Sequence, residues 1–207
     1  MSFFSDAPAD VRRWRVGRDD ALLHRMECRA CPLAAVGGNL HPNMAPTGAA
    51  HPLVYMLGEA PGGDEDEQGR QFVGDSGRLL RPLIPGEYRT RLRWNNCVRT
   101  RPPKNRTPTP VELECCRPSI VRDIEATKPR AIFGFGNVPL EWATGMSGIT
   151  LWRGRRIPVR IGGHSCWFYP MLHPSFLLRN RGKNGRPSDD EMLLELDLER
   201  AFGEVDV

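Results

Sequence analysis

The sequence contains no run of apolar residues long enough to cross a membrane, since a spanning helix needs about 20 of them. Residues 1–15 lack the apolar stretch that a secretory signal requires. Neither charge sign dominates, because 29 basic residues face 25 acidic ones and the net charge is +4. These absences argue against a membrane protein and a secreted one. We expect an intracellular, cytoplasmic protein of bacterial or viral origin.

The composition that remains is typical of a soluble globular protein. Hydrophobic residues make up 40% of the chain and charged residues 26%. A chain of 207 residues is long enough to bury a sizeable core. We predict one domain over residues 1–207, with residues 1–52 as its N-terminal segment, and we expect a monomer.

Positive charge is concentrated in three parts of the chain. They are 89–106 (Arg89, Arg91, Arg93, Arg99, Arg101, Lys104 and Arg106), 153–160 (Arg153, Arg155, Arg156 and Arg160) and 179–186 (Arg179, Arg181, Lys183 and Arg186). Basic clusters beside glycine and proline loops suit the phosphate backbone of a nucleic acid. The alternative is ordinary solvated arginine. Three such clusters favour a nucleic-acid partner.

The segment from Leu53 to Leu80 holds the first candidate site. An apolar run at 53–57 predicts a buried strand, and the glycines and prolines of 58–63 exclude a helix directly after it. An acidic run at 64–67 and then Phe72 follow, before a helix predicted from Arg78 with Ser76 as its N-cap. In α/β proteins ligands bind at the carboxyl ends of strands. The alternative is an ordinary connection with a solvated acidic face.

The rest of the chain alternates between predicted strands and helices. Strands are predicted at 92–98, 131–136, 155–161 and 166–172, and helices at 19–26, 137–142 and 188–202. Thr109 and Glu112 form a capping box around Pro110, which predicts a helix to about Ala126. This alternation predicts an α/β fold with a largely parallel sheet.

Three loops that follow predicted strands should meet at one edge of this sheet. They are Gly58–Phe72, Asn96–Arg106 and His173–Arg181, which carry carboxylates, asparagines, a phenylalanine and a histidine among arginines. Such an inventory suits a flipped nucleobase. A phenylalanine stacks on the ring, an asparagine binds its edge, a histidine stabilises charge on a pyrimidine oxygen, and arginines hold the phosphates.

The six cysteines include a pair, Cys28-Arg-Ala-Cys31, with the spacing of two ligands on one metal centre. Structural disulfides are not expected in an intracellular protein. Cys166 falls in an apolar predicted strand, and we expect it in the core.

Four motifs together resemble those of the family 4 uracil-DNA glycosylases, which are iron–sulfur proteins. They are Cys28-x-x-Cys31-Pro-Leu, the Gly58-Glu-Ala-Pro-Gly segment with its continuation to Gly77, Arg101-Pro-Pro-Lys-Asn-Arg-Thr-Pro, and His173-Pro-Ser-Phe-Leu. They occur in the order of that family and span about residues 28–180. The resemblance implies a three-layer sandwich around a mostly parallel four-stranded sheet. It also implies hydrolysis of the N-glycosidic bond of deoxyuridine in DNA, by base flipping, in base excision repair.

The resemblance assigns roles to particular residues. The catalytic set consists of His173, which donates to uracil O2, and of Glu59 and Asn105, which position or polarise water. The remaining residues are those for substrate binding (Gly58, Ala60, Glu65 near pyrimidine C5, Phe72 stacked on the base and Asn96 at its edge) and those for DNA binding (Arg106, Ser175, Phe176 and Arg179, with Phe176 or Leu177 as a wedge).

Each role has a structural alternative. Phe72 could be a core aromatic, Asn96 could cap its strand, His173 could belong to a turn, and Glu65 could be one of four solvated acids. In the leading interpretation Asp64, Asp66 and Glu67 are solvated. Ala60 falls where the best-known glycosylase family has a water-activating aspartate, which implies a dissociative reaction carried mainly by anion stabilisation.

The resemblance also implies a structural [4Fe–4S] cluster. We expect its ligands to be Cys28, Cys31, Cys97 and Cys116, although the family places one ligand where this chain has Thr100. Cys115 is the alternative to Cys97, and a zinc site is the alternative to the cluster.

Two rival functions are compatible with the sequence. One is a catalytically altered or inactive superfamily member that acts as a DNA-binding module. The other is covalent capture of the abasic sugar, which requires an extra histidine in the related branch. No histidine lies between His51 and His164, so we rank this possibility low.

Overall fold

Two apolar strands form the centre of the fold in a computed structural model, which describes residues 30–180 and 188–205. Strands β2 (Val54–Gly58) and β4 (Ala131–Phe135) are buried along their whole length. Full burial on both faces is typical of parallel strands covered by helices. Both strands were predicted from their apolar runs, and both are confirmed.

The sheet of the described residues has six strands in the order β1-β3-β2-β4-β6-β5. The four central strands are parallel, whereas β1 and β5 pair antiparallel at the two edges. The further strands are β1 (Thr47–Gly48), β3 (Leu92–Asn96), β5 (Ile157–Ile161) and β6 (His164–Met171). The predicted α/β class and the four-stranded parallel centre are therefore confirmed. The edge strand β5 lies within the strand predicted at 155–161, whereas the edge strand β1 was not predicted.

Helices cover both faces of the sheet, which makes three layers. They are α1 (Gly63–Gln68), α2 (Asp75–Leu80), α3 (Pro110–Thr127), α4 (Asn137–Thr144), α5 (Ile149–Trp152), α6 (Pro174–Asn180) and α7 (Asp189–Val205). On one face, side chains of α2, α6 and α7 pack with Met56, Trp94 and Phe133. On the other, α3 and α4 pack with Tyr55 and Leu57. Within the described ranges no helix has the length and apolar character needed to cross a membrane.

Helix α3 begins where its capping box predicts. The Thr109 side chain accepts from the Glu112 N–H, the Glu112 carboxylate accepts from the Thr109 N–H at 2.8 Å, and Pro110 occupies the first helical position. The helix ends at Thr127, one residue beyond the prediction, because Lys128 adopts a left-handed conformation ahead of Pro129.

Three local predictions differ from the structure. The polar segment after β2 is not all loop, because the acidic run forms helix α1. Helix α2 begins at Asp75 rather than Arg78, so Ser76 lies in its first turn and Gly74 is the N-cap. Residues 174–180 form helix α6 where a loop was expected. The predicted helix at 19–26, Cys28 and the basic residues 181–186 lie outside the described residues.

The topology creates a crevice at the carboxyl ends of the central strands. The chain runs from β2 to β3 on one side and then crosses back to β4 on the other. A change in direction of this kind separates the loops on either side, and ligands of open α/β sheets bind there.

Candidate active site

A cavity of about 400 Å³ opens at this crevice. Most of its wall comes from the three loops that the sequence predicts to meet, and that prediction is confirmed. The predicted site residues on the wall are Glu59, Ala60, Glu65, Phe72, Asn96, Asn105, Arg106, His173, Ser175 and Arg179. Gly58 and Phe176 do not line the cavity. Gly58 lies behind it, whereas Phe176 is exposed on α6.

Gly58 allows two cavity residues to approach the end of β2. It pairs with Asn96 across the β2–β3 ladder. A Cβ atom on Gly58 would collide with Oδ1 of Asn96 and would lie 2.8 Å from Cζ of Phe72. The missing side chain therefore makes room for the Phe72 ring and the Asn96 amide.

Phe72 is both a core aromatic and a cavity residue. Its ring packs against Trp94 and Phe135, with centroids 5.1 and 5.7 Å apart, and it is 5% exposed. Its φ angle of 54° lies in the left-handed region, where a bulky residue is strained. The Arg81 Nε–H, which donates to the Phe72 carbonyl at 2.9 Å, supports this conformation.

Asn96 presents a side-chain amide to the cavity. The residue is 4% exposed, and its backbone N–H donates to Oδ1 of Asn95 at 2.9 Å. No hydrogen bond engages the Asn96 carboxamide within the described part of the chain. Because the amide faces the cavity, a ligand or water can complete its hydrogen bonds. The group is therefore suited to read the edge of a polar ring.

Glu65 holds the loop around the cavity. One carboxylate oxygen accepts from the N–H groups of Val73 and Gly74, at 3.0 and 2.8 Å, and the other accepts from Gly62 at 3.1 Å. These bonds close the segment between α1 and α2, so Glu65 is not a freely solvated acid.

The prediction that Asp66 is solvated is wrong. Asp66 is 3% exposed, and its two oxygens accept from the backbone N–H groups of Leu40 and His41 at 3.1 and 3.0 Å. Asp66 thus ties the segment before β1 to α1. Glu67 is exposed as expected, and Asp64 is partly exposed beside Arg78.

Glu59 is a carboxylate in a partly desolvated position. Burial raises its pKa, while a hydrogen bond with the Thr107 side chain and the positive charge of Arg179 oppose the rise. Its backbone carbonyl accepts from the Val98 N–H at 3.2 Å, which fixes Glu59 just beyond the ladder of β2 and β3.

His173 is held in one protonation state. The Ser175 N–H donates to its Nδ1 at 3.1 Å, so Nδ1 is the acceptor and Nε2 carries the proton of the neutral ring. Burial lowers the pKa of His173 to about 4, and the charge of Arg179 adds to the effect. Gly136, with a φ angle of 92°, leaves room for this histidine, since a Cβ atom on Gly136 would lie 3.2 Å from the Cβ atom of His173.

Asn105 faces the cavity from a strained turn. Both Lys104 and Asn105 have left-handed φ angles, 56° and 55°. The Arg101 Nε–H donates to Oδ1 of Asn105 at 2.6 Å, which leaves the Nδ2 group of Asn105 as the donor for a ligand. Arg101 thus positions Asn105, and no local pattern in the sequence pointed to that contact.

The first basic cluster is engaged largely within the protein. Arg93 pairs with Asp123, Arg99 donates to the carbonyls of Asn43 and Met44, and Arg106 pairs with Glu112 at 2.6 Å. Arg179 differs, because it lines the cavity without an acidic partner among its hydrogen bonds in the described residues, and its Nη1 donates to the Ser175 hydroxyl at 3.3 Å. Arg179 is therefore the predicted DNA-binding arginine with the best access to a phosphate.

Five further residues line the cavity, and sequence reasoning did not select them as site residues. They are Pro61, Gly62, Ser76, Pro102 and Thr107. All five belong to the matched motifs and lie beside selected residues, and that position is the sequence signal that could have identified them. Thr107 matters most, since its side chain opposes the rise in the pKa of Glu59.

Five described cysteines belong to the buried cluster between the sheet and α3, and Cys166 of β6 is one of them. Cys31, Cys97, Cys115 and Cys116 are buried there together, and the 3₁₀ turn after Cys31 contacts α3. Cys116 is near enough to contribute to the raised pKa of Cys97, behind the dominant effect of burial. Residues 30–180 and 188–205 nevertheless contain no group of three His, Cys, Asp or Glu side chains arranged to hold a metal ion. The described thiols alone do not form a cluster site. Thr100 binds the Asn43 N–H instead.

A three-layer α/β fold with a polar cavity at the carboxyl ends of its parallel strands is typical of proteins that bind a ligand in that cavity. A protein-family model described as the uracil DNA glycosylase superfamily matches residues 45–197. The chain is 35% identical to the type-4 uracil-DNA glycosylase of Thermotoga maritima over 178 residues, which cover 84% of this chain and 88% of that protein.

Two further relatives are similar to a comparable degree. The type-4 uracil-DNA glycosylase of Archaeoglobus fulgidus is 33% identical over 77% of this chain and 82% of its own. That of Pyrobaculum aerophilum is 33% identical over 81% and 89%. The chain belongs to the uracil DNA glycosylase superfamily, within its type-4 branch. That branch is generally iron–sulfur containing.

Proposed function

We propose that this protein is a uracil-DNA glycosylase that acts in base excision repair. It hydrolyses the N-glycosidic bond of deoxyuridine in DNA and leaves an abasic site. The names of its relatives and the extent of the match support this assignment. The observation that carries it is the pairing of a neutral His173 donor with the unengaged Asn96 amide in one cavity floored by Phe72.

The flipped uracil stacks on Phe72, and Asn96 binds its edge through the carboxamide. As the bond between the sugar C1′ and the base N1 breaks, its electron pair passes to the uracil ring. Negative charge then accumulates on uracil O2. The Nε2–H of His173 donates to that oxygen, and such a donor is most effective in a cavity that excludes water. Because the His173 ring is neutral, it donates this hydrogen bond and keeps its proton.

A water molecule completes the reaction by adding to C1′, and the proton that it loses neutralises the uracil anion. Glu59, held beside Thr107, accepts a hydrogen bond from this water and stabilises the positive charge that develops on the sugar. Asn105 donates through Nδ2 to the water oxygen, because Arg101 occupies its Oδ1. Ala60 supplies no base, so stabilisation of the leaving anion provides most of the rate.

Arg179, Ser175 and Arg106 contact the phosphates around the flipped nucleotide, with Arg106 limited by its ion pair with Glu112. Phe176 is 37% exposed on α6 and enters the space that the uracil vacates. Leu177, the other wedge candidate, is fully buried in the core and is not available. DNA is thus the partner, and we infer a monomer that acts as one domain.

We infer a [4Fe–4S] cluster on Cys28, Cys31, Cys97 and Cys116. Thiolates are the ordinary ligands of such clusters. Cys31, Cys97 and Cys116 share one buried layer, although these three described residues do not by themselves form a ligand group. The cluster supplies no step of the hydrolysis. It would tie Cys28 and Cys31 to α3, next to the loop that carries Asn105.

The test uses an oligonucleotide with a single deoxyuridine. We expect free uracil and an alkali-labile abasic site, and neither product from the matched thymine oligonucleotide. The His173→Ala variant serves as the control for contaminating activity. Binding of the uracil oligonucleotide without release of free uracil would contradict the enzymatic function and favour the DNA-binding module.

A further inference from the structure

A buried polar network ends at the residue that faces the uracil edge. Strand β1 pairs only with Arg93 and Trp94 of β3, so it stops before it reaches Asn96. Alternate amides of a strand point to opposite neighbours, and the N–H of Cys97 already bonds to Gly58 of β2. The N–H of Asn96 therefore points past the end of β1, and the Asn95 side chain supplies its acceptor at 2.9 Å.

The Asn95 carboxamide is itself fixed from the other side. Its Nδ2 donates to the Tyr55 hydroxyl at 2.8 Å, and both residues are essentially inaccessible to solvent. The Tyr55 hydroxyl donates in turn to Asp123 at 2.7 Å. Because the hydroxyl proton goes to Asp123, the Tyr55 oxygen accepts from Asn95. Only one orientation of the Asn95 amide satisfies this chain, and it directs Oδ1 at the Asn96 N–H.

The far end of the network is an ion pair. Arg93 Nε donates to one oxygen of Asp123 at 2.8 Å and its Nη2 to the other at 2.6 Å. Both side chains are largely buried, and the pair joins β3 to α3. Burial and the Asp123 charge raise the pKa of Tyr55 well above its ordinary value, so the hydroxyl remains a donor.

We propose that Asn95 is a positioning residue, which holds the Asn96 backbone so that the Asn96 carboxamide stays aligned with the uracil edge. This inference rests on the proposed function, since it concerns recognition in the same cavity. Successive side chains of a strand point to opposite faces. Asn95 therefore lies on the α3 face, behind the sheet, and acts on uracil through Asn96 alone.

The decisive comparison is between Asn95→Val and Asn95→Thr. These side chains have nearly the same shape, but only threonine offers an oxygen to the Asn96 N–H. We expect Asn95→Val to lower kcat/KM for a uracil oligonucleotide about tenfold, the size of one lost hydrogen bond. Asn95→Thr should recover most of that loss. Equal activity in the two variants, whether high or low, would overturn the proposal.

Two buried hydroxyls give a second test. Tyr55→Phe removes the group that orients Asn95, whereas Tyr88→Phe removes a buried hydroxyl that bonds to Phe202 on α7. We expect Tyr55→Phe to weaken inhibition by free uracil while Tyr88→Phe leaves it unchanged. Thermal unfolding of both variants separates this effect from a loss of stability. If uracil inhibition instead follows the unfolding temperature across the variants, Asn95 is only structural.

Hydrogen exchange in the parent protein gives a readout that needs no activity. Within the described residues the Asn96 N–H donates to the Asn95 side chain and to no neighbouring strand, so we expect that bond to slow its exchange. Rapid exchange at Asn96 in the folded parent would overturn the positioning role. If the parent releases no uracil, the proposed function fails, while this measurement still decides the role of Asn95.

Discussion

The backbone N–H of Ser175 donates to Nδ1 of His173 across 3.1 Å, and this bond determines which ring nitrogen carries the proton. The donor lies two residues after the histidine, where Pro174 begins helix α6. The same turn that ends the strand segment therefore sets the tautomer of the proposed catalytic ring. Burial keeps that ring neutral, so its Nε2–H is available throughout the physiological pH range.

The pH profile of uracil release should reflect this lowered pKa. An ordinary histidine titrates near 6.5, whereas burial lowers the pKa of His173 to about 4. We expect no loss of rate through pH 6.5 from this histidine and an acidic limb at lower pH, where His173 protonates. Single-turnover rates from pH 4 to 8 measure it. A limb centred near 6.5 that disappears in a His173 variant would contradict the assignment.

The stability of the protein should also depend on His173. Because its pKa is lower in the folded state, the unfolded chain takes up the proton first as the pH falls from about 6.5 towards 4. Protonation therefore destabilises the fold in that window. His173→Gln should be less sensitive to acid there, as urea unfolding at pH 7 and pH 5 will show.

Removal of the His173 ring should reduce the rate much more than binding. Loss of one preorganised donor to a developing anion costs about 10²- to 10³-fold in rate. We expect His173→Ala to show such a loss with little change in DNA affinity. His51→Ala is the control, because that histidine is exposed and lies outside the cavity. Parent-like rates in His173→Ala would remove this residue from the mechanism.

A pair of glycine variants tests the geometry of the cavity. A Cβ at Gly58 meets Asn96 and Phe72, whereas one at Gly86 meets nothing within 4 Å. Gly58→Ala should therefore lower kcat/KM at least about tenfold, since misplacement of reacting groups by an ångström is costly. Gly86→Ala should behave like the parent. Similar activity in the two variants would show that the cavity tolerates a methyl group there.

Arg179 should set part of the salt dependence of DNA binding. Each lost phosphate contact lowers the slope of log affinity against log salt by about 0.7 to 0.9. We expect that change in Arg179→Gln, measured by titration of a uracil oligonucleotide at several salt concentrations. Arg200→Gln removes an equal charge from α7, outside the cavity, and should leave the slope unchanged. A parent-like slope in Arg179→Gln would mean that Arg179 contacts no phosphate.

The sequence predicted those parts of the site whose information is local. The capping box of α3 depends on Thr109, Pro110 and Glu112, which are within four residues of one another. The meeting of three loops followed from strand ends alone, because parallel strands share an edge. The matched motifs supplied the remaining assignments, including His173 and Asn96.

The features that were not predicted depend on distant partners. Asp66 looked like one of four solvated acids, and only the amides of Leu40 and His41 distinguish it from its neighbours. Asn95 is linked to Tyr55, 40 positions away in the chain. Strand β1 has two residues, too few to show a period of two. Contacts of these kinds arise in the folded state and leave no local pattern.

A series of single cysteine variants will identify the ligands of the inferred cluster. Cys97, which follows β3, and Cys116 of α3 lie close together in the buried layer between the sheet and α3. We therefore expect Cys97→Ala to lose the visible absorption and most of the bound iron. Cys115→Ala should retain both. Cys166→Ala is the control, since that buried thiol lies on β6 and burial raises its pKa to about 12. The measurement is an anaerobic absorption spectrum with iron and zinc analysis of each purified variant.

The same series separates the alternatives for the fourth ligand. Loss of iron in Cys115→Ala, with retention in Cys97→Ala, would identify Cys115 on α3 as the fourth ligand in place of Cys97. Thr100→Cys returns a thiol to the position that the family uses, at the cost of the hydroxyl that binds Asn43. If Cys97 is a ligand, Thr100→Cys in the Cys97→Ala background should restore part of the iron. A colourless parent protein that contains zinc would instead show that these cysteines hold a different metal.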